Sequence, residues 1–127
     1  MIFLIGGKGF LGYSFAEFFK KKKIKFKIIK KKNYNNYKNK RCDLLINCST
    51  NSKKYLSEKI PENDFVETVI NVSNSLKDFN FKKYLLISSG DVYGTTNIKK
   101  SAESIKYNRL NFKSLYSFNK ILAEKIL

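Results

Sequence analysis

The sequence predicts an α/β fold built on a doubly wound, mainly parallel sheet. Three short apolar runs are typical of strands buried on both faces: "MIFLI" at Met1–Ile5, "LLINC" at Leu44–Cys48 and "YLLIS" at Tyr84–Ser88. Segments whose apolar residues recur at helical spacing lie between and after these runs. Because strands that alternate with helices usually pair in parallel, the chain is expected to form one such sheet.

The first predicted helix follows the first apolar run directly. Its apolar residues recur at helical spacing, at Leu11, Phe15, Phe18 and Phe19. The cations at Lys20–Lys23 suit the carboxyl end of a helix, where the macrodipole favours positive charge. The glycines that precede Leu11 therefore lie between a strand and a helix.

The middle of the chain is expected to hold a second strand, a loop and another helix. Ile24–Ile29 alternates as a strand, whereas the polar segment Asn33–Arg41 lacks periodicity and is predicted to be a loop. Pro61 suits the first turn of a helix. The apolar stripe of that helix is expected to comprise Phe65, Val69, Val72 and Leu76. The last helix is predicted to begin near Ser114.

Length and composition indicate one globular domain over residues 1–127. Hydrophobic residues make up 43% of the chain, and it contains no His. The absence of His removes the commonest general base and metal ligand, so no metal site is predicted. No apolar run approaches membrane-spanning length, and the two cysteines are expected to be reduced thiols. A cytoplasmic protein is therefore expected.

The formal net charge of +16 is interpreted as a solvated, lysine-rich surface. Only Arg41 and Arg109 among the 26 basic residues are arginine, the side chain best suited to bidentate contacts with bases and phosphates. Lysine still gives a salt-sensitive attraction to polyanions. Neither a specific nucleic acid nor a membrane is predicted as a partner.

The stretch "GGKGFLG" places Gly6, Gly9 and Gly12 between the first strand and the first helix. In this spacing the first glycine permits a tight turn, the second lets the backbone approach a pyrophosphate, and the third lets the helix pack closely on the sheet. The helix amino terminus then offers unpaired N–H groups to phosphates. The pattern predicts a dinucleotide site on a Rossmann-like sheet.

The residues that end the second strand favour NADP over NAD. An acidic side chain there would accept hydrogen bonds from the ribose hydroxyls of NAD, whereas a basic one would pair with the 2′-phosphate of NADP. Lys30, Lys31 and Lys32 occupy this region, without Asp or Glu. A chain so rich in lysine would place lysine there in any case, so NAD stays open.

Two further stretches carry polar side chains suited to proton transfer. "SSGDVYG", Ser88–Gly94, places two hydroxyls directly after a buried strand. Tyr116 and Lys120 are four residues apart and share a helix face. A nearby ammonium lowers the pKa of a tyrosine from about 10. The same spacing also arises on lysine-rich helix surfaces, so it does not by itself indicate an enzyme.

Together these stretches resemble the extended short-chain dehydrogenase/reductase superfamily, in its NAD(P)-dependent epimerase/dehydratase group, which acts mostly on nucleotide sugars. The motifs occur in the family's order: "GGKGFLG", "LLINCST", "NVSNSL", "LLISSGDVYG" and "YSFNK". The resemblance implies Ser89 as the catalytic Ser/Thr, Tyr116 as the acid–base residue, and Lys120 as the residue that binds the nicotinamide ribose and lowers the Tyr pKa. The predicted cofactor site comprises Gly6, Gly9, Phe10, Leu11, Gly12, Lys30, Lys31 and Lys120.

The resemblance implies a nucleotide-sugar epimerase or reductase that moves hydride between a sugar carbon and NAD(P). Gly90 and Asp91 supply only half of the acidic pair that dehydratases carry after the catalytic Thr, which favours epimerase or reductase. Two other classes stay open at this point. One is a non-catalytic dinucleotide-binding module, and the other is a basic nucleic-acid-binding domain.

Three departures from the family pattern predict a truncated fold. Ile5 stands where Thr is usual, and the chain before Leu44 is shorter by about a strand and a helix, without the acidic–hydrophobic pair that contacts adenine. The chain also stops after the Tyr–Lys helix, where family members continue into a substrate-binding lobe. A nucleotide sugar is therefore expected to bind only where such a lobe is supplied, and a homodimer stays open. Cofactor binding is expected to be easier to detect than turnover.

Overall fold

A parallel sheet of four strands forms the centre of the fold in residues 1–93 and 114–127, the part of the chain that this computed structural model describes. The strands are β1 (Ile2–Ile5), β2 (Phe26–Ile29), β3 (Arg41–Asn47) and β4 (Asn80–Leu86), in the order β2-β1-β3-β4. Ile5 pairs with Ile29 on one side and with Asn47 on the other. The carboxyl ends of the strands thus share one edge of the sheet, and the predicted α/β, Rossmann-like, doubly wound sheet is confirmed.

The connections between the strands are mostly helical. The α-helices are α1 (Phe10–Lys21), α2 (Lys54–Lys59), α3 (Pro61–Phe65), α4 (Asn71–Asp78) and α5 (Leu115–Lys125). A π-helical segment, Val66–Ile70, joins α3 to α4, and two 3₁₀ helices span Lys31–Tyr37 and Gly90–Tyr93. Ser114 caps α5 by accepting a hydrogen bond from the Ser117 amide at 3.3 Å, so the predicted helix start is confirmed.

Alternating side chains of β1 place apolar groups on both faces of the sheet. Leu4 packs with Ala16 and Phe19 of α1 on one face. Phe3 and Ile5 point to the other face. The buried side chains of that second cluster are Phe3, Ile5, Ile29, Cys42, Leu45 and Phe79. Because the central strands are covered on both sides, their nearly continuous apolar runs are explained.

The prediction of a loop over Asn33–Arg41 is wrong at both ends. The 3₁₀ helix Lys31–Tyr37 occupies most of this segment, and Arg41 is the first residue of β3. The helix is anchored by tyrosine rings: Tyr37 meets the Phe3 ring edge-on at 5.4 Å between centroids, and Tyr34 meets Phe79 in the same way at 5.1 Å. The two tyrosine rings thus pack one face of this segment against the core, although most of its residues are polar.

The apolar stripe predicted after Pro61 is wrong in its first turn. Val69 and Val72 are buried, but Phe65 is 40% exposed while its neighbour Asp64 is only 2% exposed. The buried side chain in the first turn is therefore polar, at Asp64, and the buried side chains become apolar farther along, at Val69 and Val72. The π-helical turn that follows Phe65 adds a residue and changes which side chains face inward.

No helix within the two described stretches is long and apolar enough to span a membrane. Cys42 and Cys48 are both free thiols, as predicted, with Cys42 buried.

Candidate functional site

The turn between β1 and α1 lies at the carboxyl edge of the sheet and requires glycine at two positions. Gly6 has a φ of +78°, and a Cβ there would lie 2.7 Å from the carbonyl carbon and oxygen of Cys48. A Cβ on Gly12 would lie 2.2 Å from the Gly6 carbonyl oxygen. Gly6 therefore lets β1 pass close to the end of β3, and Gly12 lets α1 approach the turn.

Gly9 has a different environment from the other two glycines. A Cβ on Gly9 would meet only the Gly6 carbonyl oxygen, at 3.5 Å, which is ordinary contact. Gly9 precedes the first helical residue, Phe10, and lines an open cleft. Because α1 begins here, the amide groups of its first turn have no partner within the helix and are oriented toward its amino terminus.

The cleft has a volume of about 1040 Å³ and is bordered by the glycine turn, the end of β2 and the loop after β3. Gly6, Gly9, Lys30 and Lys31 line it, whereas Phe10, Leu11 and Gly12 do not, although they form the first turn of α1 behind it. Sequence reasoning missed three lysines that also line the cleft, namely Lys8, Lys38 and Lys53. The surplus of basic side chains favours an anionic ligand.

A buried amide holds the loop that follows β3. Asn47 is 1% exposed. Its Oδ1 atom accepts hydrogen bonds from the Ser49 amide at 3.0 Å and from the Ser49 hydroxyl at 2.7 Å. Its NH₂ group donates to the Tyr84 hydroxyl at 2.9 Å and to Ser75 Oγ at 3.4 Å. This network ties the loop to β4 and α4, and so fixes one wall of the cleft.

The first turns of α5 bring Tyr116 and Lys120 into the interior. Tyr116 is 7% exposed and Lys120 is 3% exposed. Lys120 Nζ donates to Thr50 Oγ1 at 2.6 Å and lies 5.3 Å from the centroid of the Tyr116 ring. Ser89 lies close enough to Tyr116 for its side chain to lower the pKa of the phenol. The structure therefore brings Ser89, Tyr116 and Lys120 together.

The electrostatics of this group differ from the expectation that Lys120 lowers the pKa of Tyr116. Burial raises the pKa of Tyr116 above 10, and the opposing effects come from the Ser89 side chain and from the Lys54 charge. Burial also lowers the pKa of Lys120 to about 8. The Lys120 ammonium is directed to Thr50 and to the face of the Tyr116 ring, which accounts for its small effect on the phenol.

Of the polar residues beside this group, Lys54 was not singled out from the sequence, whereas Asp91 and the stretch that contains Thr50 were. Lys54 and Asp91 form an ion pair at 2.8 Å that joins α2 to the turn after Ser89. Thr50 lines the cleft and also accepts the hydrogen bond from Lys120, so it connects the two sets of predicted site residues. Its position after an apolar strand was the one available signal, because ligands bind at the carboxyl ends of parallel strands.

Comparisons with known proteins bear on the fold and on the family of this chain. A search of curated proteins found no match. The structure of RMD from Pseudomonas aeruginosa complexed with NADPH superimposes with a TM-score of 0.76 and 18% sequence identity, over 99% of this chain and 48% of the RMD chain. The chain thus spans about half the length of that protein. The model of the NAD dependent epimerase/dehydratase family matches residues 2–127. The chain belongs to the NAD dependent epimerase/dehydratase family.

Proposed function

We propose that the protein binds NADP(H), with NAD(H) as a weaker ligand, and takes part in the epimerisation or reduction of a nucleotide sugar. One observation carries this proposal. Thr50 lines the glycine- and lysine-bordered cleft, and the same side chain accepts the hydrogen bond from Lys120 beside Tyr116. The cleft and the proton-transfer residues therefore adjoin each other.

The cleft fits a dinucleotide on the evidence of its own residues. Gly9 leaves open space where a side chain would otherwise project, and the amino terminus of α1 directs amide groups to an anion. The volume of about 1040 Å³ is at the upper end of the range usual for small-molecule sites. Gly6, Gly9 and the first turn of α1 would hold the pyrophosphate, with Lys30 and Lys31 on the adenosine side.

The proton-transfer step is assigned to Tyr116. A bound NAD(P) supplies the hydride donor or acceptor for the sugar carbon. In the direction of reduction, the Tyr116 hydroxyl gives its proton to the carbonyl oxygen, which becomes a hydroxyl group. In the direction of oxidation, the Tyr116 phenolate takes that proton back. Ser89 lies beside the same phenol, and we assign it the role of orienting that phenol.

The preference for NADPH is tested by the double variant Lys30→Gln/Lys31→Gln. Because both lysines line the cleft, we expect the variant to bind NADPH about 10-fold more weakly or worse, while NADH affinity changes by less than about 3-fold. The measurement is a titration of nucleotide fluorescence at two salt concentrations. The matched control is Lys21→Gln/Lys22→Gln, which removes the same charge from exposed positions outside the cleft.

Equal losses for NADPH and NADH, or equal losses in the control, would mean that the lysines act only through net charge. Saturable binding of neither nucleotide by the unmodified chain would contradict the proposed function as a whole.

The role of Tyr116 is tested by Tyr116→Phe. We expect this variant to retain NADPH binding but to lower the rate of NADPH oxidation by nucleotide keto-sugars about 100-fold, because it lacks the transferable proton. Tyr13→Phe is the control, since Tyr13 is 59% exposed on α1. A rate that Tyr116→Phe leaves unchanged would remove Tyr116 from the mechanism. NADPH binding without turnover of any keto-sugar would instead support the second candidate, a dinucleotide-binding module.

A further inference from the structure

A buried carboxylate lies beside the predicted catalytic residues. Asp64 of α3 is 2% exposed and receives hydrogen bonds from three side chains. Asn51 Nδ2 donates to its Oδ1 at 2.7 Å, Thr68 Oγ1 donates to the same oxygen at 3.3 Å, and Asn119 Nδ2 donates to its Oδ2 at 2.7 Å. We call these four residues the Asp64 cluster; all of them are buried.

The Asp64 cluster joins the two segments that carry the hydrogen bond between Lys120 and Thr50. Asn51 directly follows Thr50 in the loop after β3, and Asn119 directly precedes Lys120 in α5. The two carboxylate oxygens of Asp64 each hold one of these amides. A single side chain therefore sets the separation between the loop and α5, and with it the 2.6 Å bond from Lys120 to Thr50.

The negative charge of the Asp64 carboxylate has a second effect, on Lys120. The three hydrogen-bond donors in the cluster are neutral, and burial of an isolated charge is costly unless an opposite charge compensates it. Lys120 is the buried cation nearby. The charged or titratable groups that act on it are Asp64 from α3 and Glu124 on its own helix, with the Tyr116 ring beneath it. Both carboxylates raise the pKa of Lys120 against the lowering by burial.

We propose that Asp64 is a positioning residue for Lys120, which it holds against Thr50 through Asn51 and Asn119. Its carboxylate also compensates the charge of the buried Lys120 ammonium. The role of Lys120 toward a cofactor rests on the proposed function. The geometry of the Asp64 cluster and the charge state of Lys120 do not depend on it, so the two can be tested separately.

The first test needs no cofactor. The protein is prepared with lysine isotopically labelled at Cε, and the Lys120 resonance is identified by its loss in Lys120→Met. In the unmodified chain it should titrate with a midpoint of about 8. Because Asp64→Asn removes the compensating charge, we expect its midpoint to fall by about one pH unit. Asp43→Asn is the control, because Asp43 is exposed and pairs with Lys82 and the amino terminus.

Asp64→Asn keeps the shape of the side chain, and a flipped Asn119 amide can still pair with it. Should this variant fail to fold, the double variant Asp64→Asn/Asn119→Asp restores one carboxylate and one amide to the cluster. The Lys120 midpoint is then measured in that double variant. A Lys120 midpoint near or above that of the unmodified chain supports the proposal. A midpoint that Asp64→Asn leaves unchanged, or one that the exchanged pair does not restore, overturns it.

The second test links the Asp64 cluster to ligand binding. At about pH 7.5, Lys120 is about three-quarters charged in the unmodified chain and about one-quarter charged in Asp64→Asn, so we expect the variant to bind NADPH about 3-fold more weakly. At about pH 6, Lys120 is charged in both proteins and the difference should shrink. A loss that is equal at both pH values would show a purely structural role for Asp64. Absence of NADPH binding in the unmodified chain would refute the proposed function while leaving the titration valid.

Discussion

Gly12→Ala is expected to lower the free energy of unfolding by about 3 kcal/mol and to abolish measurable NADPH binding. The added Cβ would lie 2.2 Å from the Gly6 carbonyl oxygen and 2.8 Å from both the Gly6 carbonyl carbon and Gly7 Cα. All three are backbone atoms, so the clash is relieved only when α1 moves away from the turn. Urea denaturation and the fluorescence titration measure the two effects.

Two other glycines separate the packing role from the binding role. Gly90→Ala adds a Cβ that meets nothing within 4 Å, so it controls for the substitution itself. Gly9→Ala adds one contact at ordinary distance, and we expect it to change stability by less than about 0.5 kcal/mol while weakening NADPH binding about 10-fold. Unchanged stability in Gly12→Ala would show that the turn relaxes freely, contrary to the close packing described here.

Asn47→Ala is expected to cost about 3 kcal/mol of unfolding free energy. The substitution leaves the Ser49 amide and hydroxyl without their common acceptor and removes a donor to the Tyr84 hydroxyl. At 1% exposure, Asn47 lies where water does not readily replace these bonds. We also expect weaker NADPH binding, because Ser49 lines the cleft.

Asn80→Ala is the matched control for Asn47→Ala. Asn80 also donates from its amide, to the Asn39 carbonyl oxygen at 2.9 Å, but at an exposed site where water can take its place. Its loss should cost about 1 kcal/mol or less. Equal destabilisation by the two substitutions would argue that the Asn47 network adds nothing beyond a single hydrogen bond.

The strands were predictable because their signals are local. Apolar runs marked β1, β3 and β4, and a glycine turn followed directly by a helical pattern marked the start of α1. The end of β2 and the start of α5 near Ser114 were likewise predicted from neighbouring residues. The placement of Gly6, Gly9 and Ser89 at one edge follows from the parallel pairing, which a regular alternation of elements implies. The role of Tyr116 beside them was implied only by the family resemblance.

The Asp64 cluster was not predictable, because its bonds join residues far apart in sequence. Asn119 and Asp64 are 55 positions apart, and no local pattern connects them. A polar residue next to Phe65 reads as solvent-facing, since burial of a carboxylate is rare without partners. The 3₁₀ helix Lys31–Tyr37 was missed because its other residues are Asn and Lys, which give no apolar periodicity. Two tyrosine rings alone pack it against the core.

The parallel pairing of the strands also shapes how the chain reaches its fold. Ile2 pairs with Phe26 on one side and with Leu44 on the other, and Leu44 pairs in turn with Lys83. Every strand pair thus closes a long stretch of chain, and the β1–β3 pair forms across β2. Each closure loses chain entropy before its contacts form. A high contact order of this kind slows folding relative to a chain whose contacts are local.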